Sequence, residues 1–98
     1  MQYTILIGES FDRWLKELKD AKGAAAIARR IKRAESGNFG AHRSVGDGLS
    51  EMKIDVGPGY RVYYTVRKRF LVFVLCGGDK STQDGDIKAA KKLADGIT

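Results

Sequence analysis

The sequence predicts an α+β domain, a small and mainly antiparallel sheet packed on a helical hairpin, in the order β-α-α-β-β-β-α. Three observations carry that expectation. Residues 49–56 and 60–67 alternate apolar and polar side chains, the two-residue period of strands with one buried face. Gly57-Pro58-Gly59 and Lys68-Arg69 connect neighbouring strand segments and are short enough for hairpins. Upstream of residue 36 the apolar spacing changes to the helical period.

Each element follows in order. Residues 3–7 are a short apolar strand. Ser10 is the expected N-cap of a first helix, with Asp12 in its first turn. Phe11, Trp14, Leu15 and Leu18 then fall on one helical face, a stripe that reads as core packing. Asp20 caps a second helix over residues 21–35, with Ala24, Ile27, Ala28 and Ile31 inward and Arg29, Arg30, Lys32 and Arg33 outward. The two helices nearly abut, which makes an αα-hairpin. Ser36-Gly37-Asn38 ends the second helix, and a glycine-rich loop follows, with a short strand at residues 42–45. Its glycine spacing fits no P-loop or dinucleotide fingerprint. In the next two strands Met52, Ile54 and Val56, and then Tyr60, Val62, Tyr64 and Val66, share the apolar side. Residues 70–76 are apolar on both faces, as in a central covered strand. Residues 83–93 form a last helix with Ile87, Ala90 and Leu93 inward.

Size and composition set the limits. Ninety-eight residues make one domain, over residues 1–98, and 43% hydrophobic content excludes a disordered chain. The longest strongly apolar run is too short to span a bilayer, so no membrane association is expected. The N-terminal residues lack the basic start and cleavage site of an export signal, which makes the cytoplasm the expected location. Cys76 has no disulfide partner and lies in an apolar run, where a buried thiol is expected. One histidine and one cysteine cannot build a zinc site, and no metal or cofactor is expected. A formal charge of +6 and a pI near 9.6 draw phosphate polyanions.

Strand parity gathers the polar side chains. Glu51, Lys53 and Asp55 lie on one side of their strand, and Arg61, Tyr63, Thr65 and Arg67 on one side of the next. If both apolar sets face the helical hairpin, these groups share the opposite, more open face, and Lys80 reaches its rim. Two readings remain: a cationic, phosphate-binding surface, or cross-strand ion pairs on an ordinary solvated sheet.

Taken together, several segments resemble the RelE/ParE superfamily of toxins, and within it the HigB-like addiction module killer proteins. They are Phe11-Asp12-Arg13-Trp14-Leu15, Arg30-Ile31-Lys32-Arg33, Ser36-Gly37-Asn38-Phe39-Gly40, the stretch 45–54, the stretch 57–64, Gly77-Gly78-Asp79-Lys80 and Gln83-Asp84-Gly85-Asp86-Ile87. No one segment is specific; their order and spacing are. The resemblance implies a RelE-like fold and the toxin of a type II toxin–antitoxin pair, a metal-independent, ribosome-dependent mRNA endoribonuclease. In such an enzyme the substrate's 2′-OH attacks the adjacent phosphodiester, and cations stabilise the phosphorane. By resemblance Arg61 is the first candidate for that role, Lys53 the second and Lys80 the third. Arg43, Arg67, Lys68 and Arg69 are candidates for contacting RNA. The better-known members carry a tyrosine or histidine near the C-terminus for proton transfer, whereas this chain has neither after Tyr64. The base is then His42, Tyr63 or a lysine of lowered pKa. The expected partners are mRNA, the ribosome and a cognate antitoxin, of helix-turn-helix type and encoded by an adjacent gene. Two alternatives stay open: a ParE-like, non-enzymatic poison of DNA gyrase, and an inactive basic binding module.

Overall fold

The parity of the strands decides the architecture. The computed structural model describes residues 2–97. The chain runs β1 (Thr4–Ile7), α1 (Glu9–Glu17), α2 (Ala21–Ala34), β2 (His42–Gly46), β3 (Leu49–Ile54), β4 (Tyr60–Arg67), β5 (Leu71–Asp79), a 3-10 turn (Lys80–Thr82) and α3 (Gln83–Asp95). The strands form one sheet in the order β1-β5-β4-β3-β2. β1 runs parallel to β5 and the other pairs are antiparallel. This is the expected α+β architecture.

Met52, Ile54, Tyr60, Val62, Tyr64, Val72 and Val74 meet Phe11, Ala26, Ile27 and Ala34 of the helical hairpin in one dry cluster. Trp14, Leu15 and Leu18 pack against it, as the α1 stripe predicts. Asp20 caps α2: Oδ1 accepts from the Gly23 N–H at 3.0 Å and Oδ2 from the Tyr60 hydroxyl at 2.6 Å. That last bond ties the helix start to the sheet.

Four local expectations need correction. Gly8, not Ser10, is the N-cap of α1. Its N–H donates to the Val74 carbonyl at 2.8 Å, and a Cβ there would lie 2.8 Å from the same oxygen, so the chain turns into the helix directly off β1. The buried face of α2 is Gly23, Ala26, Ile27 and Ala34 rather than Ala24 and Ala28, because Gly23 admits the Tyr60 ring edge-on to the helix backbone. In α3, Ala90 and Ala94 are buried while Leu93 is exposed. β5 runs on to Asp79, past residue 76 where its apolar run ends.

The largest departure concerns the supposedly open face. α3 lies across part of it, and Leu49, Tyr63, Leu75 and Cys76 pack with Ala90 and Ala94 in a second cluster. A bulge in β5 helps. Tyr63 pairs with Cys76 and Tyr64 with Val74, so the extra residue puts Leu75 and Cys76 on the same side. Alanines on α3 let the helix approach closely. Cys76 is buried, as expected, and burial pushes its thiol up to about 12.

Candidate functional site

Where α3 begins, its cover ends, and the polar side chains of β2, β3 and β4 come to the surface. Gly77 and Gly78 make the junction. A Cβ at Gly77 would stand 2.5 Å from the Trp14 ring on one face of the sheet. One at Gly78 would overlap the Asp86 carboxylate on the other. The bare backbone therefore seats α1 and the start of α3 on opposite sides of the same two residues. Asp79 holds the intervening turn by accepting from the Ser81 hydroxyl and from the Ser81 N–H, the latter at 2.8 Å, and these bonds keep its carboxyl below the usual range.

Next to that junction lies a groove of about 360 Å³ lined by Ala41, His42, Arg43, Glu51, Lys53, Arg61 and Gln83. Register places these residues together: Lys53 pairs with Arg61, and Arg43 with Glu51. A second hollow of about 280 Å³ continues from it, lined by Lys53, Asp55, Gly57, Pro58, Gly59, Arg61 and Lys80. Lys53 and Arg61 stand on the ridge shared by the two. The turn 56–59 that forms the far wall is closed by the Gly59 N–H donating to the Val56 carbonyl at 3.1 Å. Gly57 and Gly59 both take positive φ there, 56° and 83°, which only glycine adopts freely.

Arg61 is not a free surface arginine. Only 7% of it is exposed. Its Nε forms an ion pair with Glu51 Oε1 at 2.8 Å, and one terminal nitrogen donates to the Gly59 carbonyl at 3.2 Å. Glu51, 2% exposed, also accepts from Arg43 Nε at 2.7 Å and from the Gln83 amide at 2.8 Å. Lys53 is exposed and stands 3.8 Å from Asp55. His42 is exposed on the groove wall, with Nδ1 2.7 Å from the Gly40 carbonyl. A carbonyl only accepts, so Nδ1 carries the hydrogen in neutral imidazole and Nε2 keeps the basic lone pair. Arg30, expected on the outer surface of α2, instead braces the loop before β2. It donates to the carbonyls of Lys53, Phe39 and Ala41 at 2.6, 3.0 and 3.1 Å.

The candidate residues thus divide. Arg61, Lys53, His42 and Arg43 share the first groove, and Lys80 joins the continuation. Arg67 lies six residues along β4, about 20 Å away at the strand rise, and reaches the Ala94 carbonyl at the end of α3. Lys68 and Arg69 occupy the exposed turn beyond it, again outside the groove. Tyr63, the other candidate base, is fully buried under α3, and burial raises its hydroxyl well above the usual range. Among the described residues, no cluster of three or more His, Cys, Asp or Glu side chains is placed to hold a metal ion.

The family described as phage derived protein Gp49-like (DUF891) matches residues 13–96. The chain belongs to that family. The matched stretch of this Gp49-like protein contains every residue of both hollows. An uncharacterized protein of Haemophilus influenzae is 56% identical over 85 residues, covering 87% of this chain and 86% of its own. Among solved structures, a mutant of the E. coli toxin RelE in the free state superposes with a TM-score of 0.74 at 19% identity. The overlap covers 94% of this chain and 98% of that one. The RelE-like fold that the RelE/ParE resemblance implies is therefore borne out.

Sequence reasoning missed Glu51 and Gln83 as members of the site. Glu51 looked like one of two carboxylates, with Asp55, diluting a basic face. Its sequence signal was cross-strand placement opposite Arg43 and diagonal to Arg61, which alternation alone does not reveal without the register of β2 and β4.

Proposed function

We propose that this Gp49-like protein is the toxin of a type II toxin–antitoxin pair and acts as a metal-independent, ribosome-dependent mRNA endoribonuclease of HigB-like type. The carrying observation is that one groove collects Arg61, Arg43, Lys53 and the chain's single histidine. That set supplies a base and charge stabilisation for an internal transesterification. His42 Nε2 takes the proton from the attacking 2′-OH; as the 2′,3′-cyclic phosphate forms, the P–O5′ bond breaks, the departing 5′-oxygen takes a proton from water and the imidazolium returns its own to solvent. Arg61 and Lys53 neutralise the charge that builds on the phosphorane oxygens, and Lys80 extends the cationic track along the strand. A single unpaired strand, whose bases can be splayed and whose backbone is reached from one side, is the substrate form this reading assigns to the groove. The antitoxin, of helix-turn-helix type from an adjacent gene, would cover this basic surface, and the protein would act in the cytoplasm on ribosome-bound mRNA.

Induced expression followed by primer extension on cellular mRNA tests this reading. Discrete cleavage sites in translated messages are expected; they should vanish with His42→Ala and weaken strongly with Arg61→Lys. Growth arrest with intact mRNA and inhibited gyrase supercoiling would instead establish the gyrase-poison alternative. Neither arrest nor cleavage would leave a basic binding module.

A further inference from the structure

Glu51 is the most deeply buried charged side chain of the groove, and it is bonded on both oxygens. Oε1 forms an ion pair with Arg61 Nε and accepts from Gln83, and Oε2 accepts from Arg43 Nε. Two guanidiniums from two different strands thus commit the same nitrogen to one carboxylate. Because each pairing is made through Nε, terminal nitrogens of both guanidiniums, the kind of donor that suits phosphate oxygens, are left free of the carboxylate. Among the described residues, Arg43 makes no hydrogen bond through its terminal nitrogens, and Arg61 uses only Nη1, toward the Gly59 and Tyr60 carbonyls. Without a shared counter-ion, two guanidiniums this near would repel each other and regain rotamer freedom.

We propose that Glu51 is a positioning residue: it seats Arg43 and Arg61 so that their terminal nitrogens converge on one phosphodiester group, a two-guanidinium clamp built on a buried carboxylate. The proposal rests on the reading of this groove as a phosphate site. Gln83 completes it by fixing Oε1 from the first turn of α3, so the clamp's geometry depends on how α3 docks at Gly78. Glu51 itself touches no ligand, because donors from the protein already occupy both of its oxygens.

The sign of one substitution tests this. A carboxylate beside a phosphate site repels the phosphate, so if Glu51 acts only through its charge, Glu51→Gln tightens binding. If it positions the arginines, Glu51→Gln weakens binding by about tenfold or more, the scale of losing one charge-assisted contact. The probes are inorganic phosphate and an RNA trinucleotide blocked by 2′-O-methylation, titrated into the intact protein while the arginine Nε–H resonances are followed by NMR. The wild type is expected to show resolved Nε–H signals for Arg43 and Arg61 that shift with both probes. In Glu51→Gln these signals should broaden and affinity should fall, with the remaining amide dispersion kept. Glu51→Asp retains the charge but falls short by one methylene; it should also weaken binding, and it carries the test if the glutamine variant does not fold. Equal or tighter binding by either variant overturns the clamp while leaving the groove a phosphate site. A wild type that binds neither probe, its Nε–H signals still resolved, overturns the phosphate reading and the clamp with it.

Discussion

On the face that meets α1 and α2, Met52 and Ile54 of β3 and Tyr60, Val62 and Tyr64 of β4 are buried against the helices in one cluster. On the other face α3 covers Leu49, Tyr63, Leu75 and Cys76 and then stops at Gln83, leaving Glu51, Arg61 and Lys53 at an open edge. The same strands supply both surfaces, one residue out of phase. The difference shows how a chain this small combines a core with a charged site: the second core layer ends early, and the charges it would otherwise bury line its margin. Arg61 is then neither a core residue nor a solvated one. It is fixed like the first and reachable like the second, which suits a group that must meet a phosphorane without reorganising.

Removing Arg61 should give the largest effect, because it strikes both roles. Arg61→Ala is expected to lower mRNA cleavage by about a hundredfold or more. It should also destabilise the fold by about 3 kcal/mol, since it leaves Glu51 buried with one counter-ion fewer. Urea unfolding and cleavage normalised to folded protein separate the two losses. Arg61→Lys, which keeps the charge but not the forked geometry, should lose most activity at a smaller cost in stability. Full cleavage by a folded Arg61→Lys would remove the groove from the chemistry.

The closed face should behave in the opposite way. Ile27 is fully buried beneath the sheet, and Ile27→Ala should cost about 2–5 kcal/mol through the cavity it leaves. Cleavage per folded molecule should not change. A proportionate loss of cleavage would mean that the two faces are mechanically coupled.

Much of this contrast was legible beforehand. The two-residue alternation put Met52, Ile54, Tyr60, Val62 and Tyr64 on one side and Lys53 and Arg61 on the other, and Asp20 capped α2 as its side chain requires. What alternation cannot carry is which surface a distant helix will cover. α3 meets the sheet through alanines and a bare Gly78, so its docking left only a weak hydrophobic signal, and the face it covers reads as polar and open. The pairing of Glu51 with Arg43 and Arg61 depends on strand register and on burial by α3, both tertiary facts. The bulge that sets Leu75 beside Cys76 has no local marker either.

Gly78→Ala sits on the boundary between the faces. Its new methyl group would collide with Asp86 and Thr82 at the start of α3, costing about 1–3 kcal/mol by overpacking. Unlike Ile27→Ala, it should also reduce phosphate affinity, because moving the start of α3 moves Gln83 off Glu51. A stability loss with unchanged affinity would detach α3 from the site.

A smaller effect with a pH signature belongs to the closed face alone. The Tyr60 hydroxyl donates to Asp20, which holds the Asp20 carboxyl below its usual value of 3.8 and, with burial, pushes Tyr60 from 10.0 up to about 12. The lowered carboxyl contributes stability that is present above pH 3.8 and lost as pH falls through its folded value. The raised phenol contributes stability that is present below pH 10 and lost as pH rises toward about 12. Tyr60→Phe should therefore be less stable than the wild type across the middle range, with the gap narrowing at both ends. A gap that stays constant with pH would assign the loss to packing instead.

The smallest effect should come from the turn after β4, where Lys68 and Arg69 hold positive φ angles of 52° and 70°. Side chains other than glycine pay about 1–2 kcal/mol in that region, partly offset in a glycine by its greater freedom when unfolded. Arg69→Gly should therefore stabilise the fold by about 0.5 kcal/mol. It also removes a cation lying well beyond a Debye length of roughly 8 Å from Arg61 at physiological salt. If RNA binding is confined to the groove margin, affinity for a trinucleotide should stay within about twofold, against the tenfold loss expected of Glu51→Gln. The basic residues of the turn were singled out as RNA contacts on charge and resemblance alone. A large loss in Arg69→Gly would restore them, and would extend the RNA path along the whole of β4 beneath the end of α3.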